Sequence, residues 1–367
     1  MTALIAFPGP ARAIIVAAAI AIVVVFLKMA SSILAPMLLA VFIAVVAAPG
    51  LRWMQRIGVP KWGALALIAF VLLDLGSILA LVSTGALEGF RDSLPTYQER
   101  LITLSEQFGQ WLEGVGFEDS SKAVPDMVNA EALTGLVRIA VANLGSVLAT
   151  GFLILLAVIF MLLEAPGLQN KLKAAFGMTE EAEARLQRVL ASLNQYMVIK
   201  ILTSLATALV IWIWLRLFGI DFAVLWAILA FVLNFIPYVG ALLMTIPGVV
   251  MALVQADLQT ALLVALGYVA ANTVIGSVLE PRIMGRGLGI STLAVFLSLL
   301  FWSWVFGTIG AFLSVPLTMA LMIALDASPV TRPIAVLLGP ELAKETAAEE
   351  DATDRQGPPE DDSRTGR

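Results

Sequence analysis

The chain has 367 residues, 60% of them hydrophobic and 13% charged, with a formal net charge of −5. A mean hydropathy of +0.95 leaves too little charge to cover a soluble domain, and a pI near 5.0 argues against nucleic-acid binding. Neither cysteine nor histidine occurs, which excludes disulfides, thiolate and Ser-His-Asp catalysis, and Cys- or His-held metal or haem.

In chain order, apolar runs cover 12–27, 33–48, 62–84, 140–163, 197–215, 222–254, 260–280 and 289–325. Several exceed the roughly 18 residues that mark a membrane span. They are continuous rather than alternating, which favours helices over barrel strands. The expected fold is an all-α polytopic membrane protein with about six to eight transmembrane helices. Ala13–Leu27 resembles a signal h-region, but the next apolar run begins almost at once, so it reads as a retained anchor.

Residues 1–84 form the N-terminal spans. Asp74 lies in the middle of "ALALIAFVLLDLGSILALVSTG". A lone carboxylate there costs roughly 2.5–3.5 kcal/mol on insertion scales. It is expected to be protonated, open to a water path, or neutralised by Lys200 or an Arg. With no histidine to carry a proton, Asp74 is the candidate for ion coupling.

The loop 49–61 holds Arg52, Arg56 and Lys61 and no acid, so it reads as cytoplasmic. Residues 85–138 hold nine acids and four bases and read as external. The stretch 164–200, with Lys171, Lys173, Arg185, Arg188 and Lys200, reads as cytoplasmic. Together these place the N-terminus inside.

The external segment, 85–139, is amphipathic. Phe90, Leu94, Tyr97, Leu101, Leu104, Phe108, Trp111 and Val115 are spaced 4, 3, 4, 3, 4, 3, 4. That repeat marks a helix whose stripe packs on the membrane surface, on its own domain, or on a second subunit. Ser93 with Pro95 close behind suits a helix start there. Residues 140–196 then supply one span and a cytoplasmic linker. Residues 343–367 read as a disordered acidic tail.

The core, 197–326, raises a question in "NFIPYVG", residues 234–240. No residue from Phe222 to Ala256 is charged, yet a proline and a glycine interrupt the run. The run is also too long for one span of about 20 residues. The run 289–325 resembles it at an offset of 70: Arg216, Gly219 and Ile220 match Arg286, Gly289 and Ile290, and Phe231 matches Phe301. Pro237 faces Gly307, Gly240 and Ala241 match Gly310 and Ala311, and Pro247 meets Pro316 after one deletion.

If 222–254 crossed once, Arg282 and Arg286 would lie outside, against the positive-inside rule. If each run is instead a hairpin that returns to its own side, "EPRIMGRG" and the C-terminus lie in the cytoplasm. The repeats 197–254 and 260–325 then have opposite orientations, a plan used by secondary transporters. A helix broken at membrane depth survives only when packed in protein or lining a wet cavity. The alternative is a surface loop with Tyr238 as an interfacial anchor.

"NFIPYVG", "EPRIMGRGLGIS" and "GAFLSVPL" resemble the signatures of the autoinducer-2 exporter family of bacterial permeases. The family pattern is P-x-x-G after an Asn, then E/Q-P-x-x-x-G-x-x-L-x-(I/L)-(S/H)-P. Here Thr292 comes after Ser291 where the family often has a proline. The resemblance implies a multi-pass inner-membrane transporter, homo-oligomeric. It also implies export of a small signalling molecule or, in some members, Na+(Li+)/H+ exchange.

The candidate transport path is Asn234, Pro237, Tyr238 and Gly240 in the first hairpin, and Gly307, Gly310, Ser314 and Pro316 in the second. Asn272, beside Thr273 within 260–280, either joins this path or pairs two helices. Glu280, Pro281, Arg282 and Gly285 form a gate or a structural corner, with Glu280 and Arg282 as a charge pair. No cofactor is expected, and no P-loop pattern occurs. The partners are a small-molecule or ion substrate, the bilayer and further copies of the chain. A secondary transporter fits best. A channel would conduct without coupling. A scaffold would act through the external helix and the tail. Intramembrane catalysis lacks paired catalytic groups.

Overall fold

The computed structural model describes residues 9–117, 149–165, 167, 171, 174–175, 179–284 and 290–339. Gly285, the tail over 343–367, and residues 118–148 of the external segment and the span after it lie outside the described residues. Among the described residues every regular element is helical, and five helices are long and apolar enough to cross a membrane. The chain is an all-α polytopic membrane protein.

Three helices open the fold: α1 (Gly9–Met29), α2 (Ser31–Arg56) and α3 (Lys61–Gly114). Helix α4 (Ala149–Ala165) packs with α2 and α3 through Ala40, Leu51, Ala64, Leu65, Val158 and Leu162. Small residues at these contacts let the helix backbones approach closely.

Helix α3 corrects one expectation. The span and the external amphipathic segment are a single 54-residue helix, with Pro95 inside it rather than at a start. Pro95 removes one backbone N–H, but it and Arg91 are exposed, so water satisfies the freed carbonyl. The result is a rod of about 80 Å, far longer than a hydrocarbon core of about 30 Å.

The first half of the amphipathic stripe packs on its own chain. Leu94 and Tyr97 are buried, and the Phe90 ring meets Phe222 and Trp226 edge-on at 5.8 and 6.3 Å. Phe108, Trp111 and Val115 stay exposed. A polar latch fixes the docking. The Tyr97 hydroxyl donates to Asp221 Oδ2 at 3.0 Å, and Gln255 Nε2 donates to the same hydroxyl at 3.2 Å and to Asp221.

Burial, then the bond to Asp221, pushes the Tyr97 hydroxyl above its ordinary value of 10.0. Its contribution is therefore complete below that value and falls away as pH rises through the higher folded value. Tyr97→Phe is expected to cost about 0.5–1.5 kcal/mol. Thermal unfolding in detergent would show it, and the difference from wild type should vanish in strong alkali.

The rest of the fold is organised along α5 (Glu180–Leu217), a 38-residue helix capped by the Thr179 hydroxyl, which accepts from the Ala182 N–H at 3.3 Å. The expected linker is thus largely helical from Glu180 onward, and Lys200 lies inside this helix, buried, rather than in a loop.

Helices α6 (Ala223–Leu233) and α7 (Val239–Gln255) form the first hairpin. Helix α6 rises only about 16 Å, half of a bilayer core. The two ends of the hairpin meet: the Asp221 N–H donates to Gln255 Oε1 at 2.9 Å. The run 222–254 therefore folds back instead of crossing once.

Helix α8 (Leu258–Ala271) runs through a π-helical segment, Asn272–Leu279, into α9 (Glu280–Met284). It lies antiparallel to α5. Trp214 Nε1 donates to Leu263 O at 3.2 Å near one end, and Lys200 meets Glu280 near the other.

The second hairpin is α10 (Thr292–Phe312) and α11 (Ser314–Asp326), with α12 (Arg332–Leu338) after it. Trp302 Nε1 donates across it to Thr318 Oγ1 at 3.0 Å. Its open end is tied to the Glu180 end of α5, where Arg185 Nη1 donates to Ala327 O at 2.8 Å. The first hairpin opens beside the Leu217 end. The hairpins thus enter from opposite ends of α5, and their tips meet: Phe235 and Phe312 stack with centroids 4.3 Å apart.

Candidate functional site

Both tips are built on the same device. In the first, Tyr238 turns the chain at φ 59, and Gly240 then passes over the end of α6. A Cβ on Gly240 would lie 1.9 Å from Leu233 O. In the second, Gly307 turns the chain at φ 64, and a Cβ on Gly310 would lie 1.9 Å from Trp302 O. Only glycine allows so close a passage. Gly240 and Gly310 are the pair that the offset of 70 aligned, whereas the positive-φ turns lie one residue out of that register, at Tyr238 rather than Pro237 and at Gly307. Pro237 is half-buried beside Tyr238. Pro316 sits in the first turn of α11, where its missing N–H costs nothing.

Against these tips α5 presents a buried polar stripe: Lys200, Thr203, Ser204 and Thr207 are 8%, 1%, 0% and 1% exposed. The spacing i, i+3, i+4, i+7 puts all four on one face. Lys200 Nζ donates to both Glu280 oxygens, at 2.9 and 3.0 Å. Thr203 Oγ1 reaches Glu280 Oε2 at 3.2 Å. Asn234 Nδ2, at the first tip, donates to Ser204 Oγ at 3.0 Å. Thr207 Oγ1 donates to Thr203 O at 2.9 Å.

Apolar side chains close the stripe at both ends: Leu193, Tyr196 and Met197 on one side, Ile211 and Leu215 on the other, all buried. Leu313 and Val315 of the second hairpin pack with the first of these groups. The arrangement is a buried, mutually bonded polar cluster beside the hairpin tips. It offers an ammonium, a carboxylate, three hydroxyls and an amide to anything that displaces their mutual bonds.

The π-helical segment serves the ion pair. The Glu280 N–H bonds Ile275 O, five residues back. The wider turn shifts the register of the next helical residues, and Glu280 emerges facing α5. Asn272 is half-buried at the start of the segment, with Thr273 exposed beside it. The Asn272 side chain folds along its own helix: a Cβ on Gly276 would lie 3.3 Å from its Oδ1.

The structure therefore brings Asn234 and Glu280 onto the polar stripe of α5, while Gly240 and Gly310 fix the turns of the two tips. Ser314 is fully buried at the second tip, its hydroxyl donating to Ala311 O at 2.9 Å. Tyr238 is 54% exposed, and Gly307 is also exposed. The expected pair of Glu280 with Arg282 is not formed. Arg282 is exposed on α9 with Pro281, and the buried Lys200 ammonium takes the carboxylate instead. Lys200 is accordingly not the partner of Asp74. Asp74 is exposed on α3 and, among the described residues, has no hydrogen-bond or ion-pair partner.

The α5 stripe is what sequence reasoning missed. Its signal was K-x-x-T-S-x-x-T over 200–207, the only polar residues of that stretch, on one face of an apolar helix.

A helical membrane protein with two opposed broken hairpins closing on a buried polar stripe belongs structurally with membrane transport proteins. The sequence matches the AI-2E family transporter description over residues 14–329. It is 38% identical over 334 residues to the AI-2 transport protein TqsA of Escherichia coli, covering 91% of this chain and 97% of that protein. It is also 38% identical over 336 residues to a putative transport protein of Haemophilus influenzae, covering 89% and 96%. Putative transport protein YhhT of Escherichia coli is 31% identical over 323 residues, covering 88% and 93%. The chain belongs to the AI-2E transporter family and is a multi-pass membrane transport protein.

Proposed function

We propose that this chain is a secondary transporter of the bacterial inner membrane that exports a small polar solute by alternating access, with both termini in the cytoplasm. The observation that carries this reading is the α5 stripe, buried between two hairpin tips that enter from opposite ends. Units 197–254 and 260–325 act as an inverted repeat. Rocking one against the other exposes the stripe first to one side, then to the other. The relative named an AI-2 transport protein supports a small signalling molecule as solute. Assembly as a homo-oligomer is part of the proposal.

The Lys200–Glu280 pair favours a second reading, in which movement is coupled to a proton or an alkali cation. Either cation can take the carboxylate from Lys200 and free the ammonium. The reading that coupling resides on Asp74 predicts a flat pH profile for transport in Asp74→Asn. The buried pair favours a flat profile in Glu280→Gln, with the Asp74→Asn profile unchanged. Transport into proteoliposomes across a pH series separates the two.

The native chain lacks cysteine, so Tyr238→Cys and Thr308→Cys can be labelled from either side without background. Transport along the stripe predicts that a membrane-impermeant thiol reagent reaches the two tips from opposite sides, and that solute changes both rates. Labelling of both from one side only, unaffected by solute, would remove the alternating-access reading. A steep conductance with no solute coupling would instead make the protein a channel.

A further inference from the structure

We propose that the cleft between the Glu180 end of α5, the end of α11 and α12 binds the phosphate headgroup of an anionic phospholipid. A cavity of about 470 Å³ opens there. Arg185, Arg188 and Ser192 line it from α5, Met322, Ile323 and Asp326 from α11, and Ala335 and Val336 from α12. The spacing of the α5 residues, i, i+3 and i+7, directs all three into the cleft.

Among the described residues the lining is net positive. Asp326, the acid in the lining, is held by Arg332 at 3.5 Å. Two guanidinium groups thus face one already paired carboxylate. Arg185 spends Nη1 on Ala327 O, which fixes its plane and leaves its other donors to meet an anion. Planar guanidinium groups match phosphate oxygens in pairs. Met322, Ile323 and Val336 give the cleft apolar walls, which suit a glycerol ester and the start of an acyl chain.

A separate observation sets the depth. Val330, Ile334 and Leu337 are 78%, 50% and 81% exposed, at spacings of 4 and 3, on and just before α12. An apolar stripe on a short helix beside arginine is the pattern of an element lying in the membrane interface. The cleft therefore opens where headgroups lie. Free phosphate shares the headgroup's chemistry but has no use for the apolar walls, so a lipid is the occupant. Basic pockets of this kind between helices hold anionic lipids on the cytoplasmic side of membranes.

The test uses the full-length protein in a neutral detergent, with thermal stability read by intrinsic fluorescence. Phosphatidylglycerol, phosphatidylcholine and inorganic phosphate are titrated separately. The expected result is a saturable rise in Tm with phosphatidylglycerol alone. In Arg185→Gln/Arg188→Gln the midpoint should move to roughly tenfold higher lipid. If that variant does not fold, Arg188→Lys keeps the charge, removes the fork, and should weaken binding several-fold. An unchanged midpoint in the variant that folds would overturn the site. An equal rise with inorganic phosphate or with phosphatidylcholine would overturn the lipid assignment.

Discussion

Gly240→Ala and Gly310→Ala are each expected to abolish transport and to destabilise the protein by roughly 2–4 kcal/mol. The added methyl would lie 1.9 Å from a backbone carbonyl oxygen, that of Leu233 or Trp302. A flexible side chain could move aside; a carbonyl that ends a helix cannot without opening the turn. Gly307→Ala gives the contrast. Its Cβ would meet open space, so only the backbone penalty at φ 64, ψ −144 applies, about 1–3 kcal/mol. Thermal unfolding in detergent and solute uptake in proteoliposomes measure both effects. Equal stability loss at positions 307 and 310 would mean that the close passage is not what fixes the second tip.

The second large effect lies at the ion pair. Lys200→Ala or Glu280→Ala alone leaves an unpaired charge where the two side chains are only 10% and 14% exposed. Breaking such a pair on one side costs about 3–5 kcal/mol. Lys200→Met/Glu280→Gln, which removes both charges and keeps the volume, should recover most of that stability but not transport. A double-mutant cycle on Tm gives the coupling between the two residues, and uptake gives the functional arm. Transport by the doubly neutral protein would reduce the pair to a structural tie.

How much of the fold could be read from the sequence depended on how local each signal was. The hairpins were legible because helix breakers are local. Pro237 to Gly240 and Gly307 to Gly310 interrupt charge-free runs too long to cross once, and the offset of 70 relates the two runs from spacing alone. That Asp221 and Gln255 lie side by side confirms the fold-back of the first run. Helix α3 reads as two elements in the sequence because Pro95 carries the local signature of a helix start. An exposed proline within a long helix leaves the same signature, since solvent satisfies the carbonyl it frees.

The ion pair was illegible because its members are 80 residues apart. Positive charge near an apolar run reads as a loop, so Lys200 reads with the cytoplasmic stretch 164–200 and Glu280 with its neighbour Arg282. The pairing arises from two tertiary facts. Helix α8 runs antiparallel to α5, and the π-helical segment turns Glu280 toward it. Neither leaves a mark at the level of spacing, whereas Thr203, Ser204 and Thr207 do, once their common face is considered.

If solute crosses between the two hairpin tips, the tips must part during each transport cycle. Phe235 and Phe312 stack where they meet, with ring centroids 4.3 Å apart. In a protein without native cysteine, Phe235→Cys/Phe312→Cys can be joined by a short, reducible bifunctional thiol reagent in proteoliposomes. Linking the tips is expected to stop uptake, and reduction to restore it. Uptake at the unlinked rate with the tips fully joined would show that solute does not pass between them.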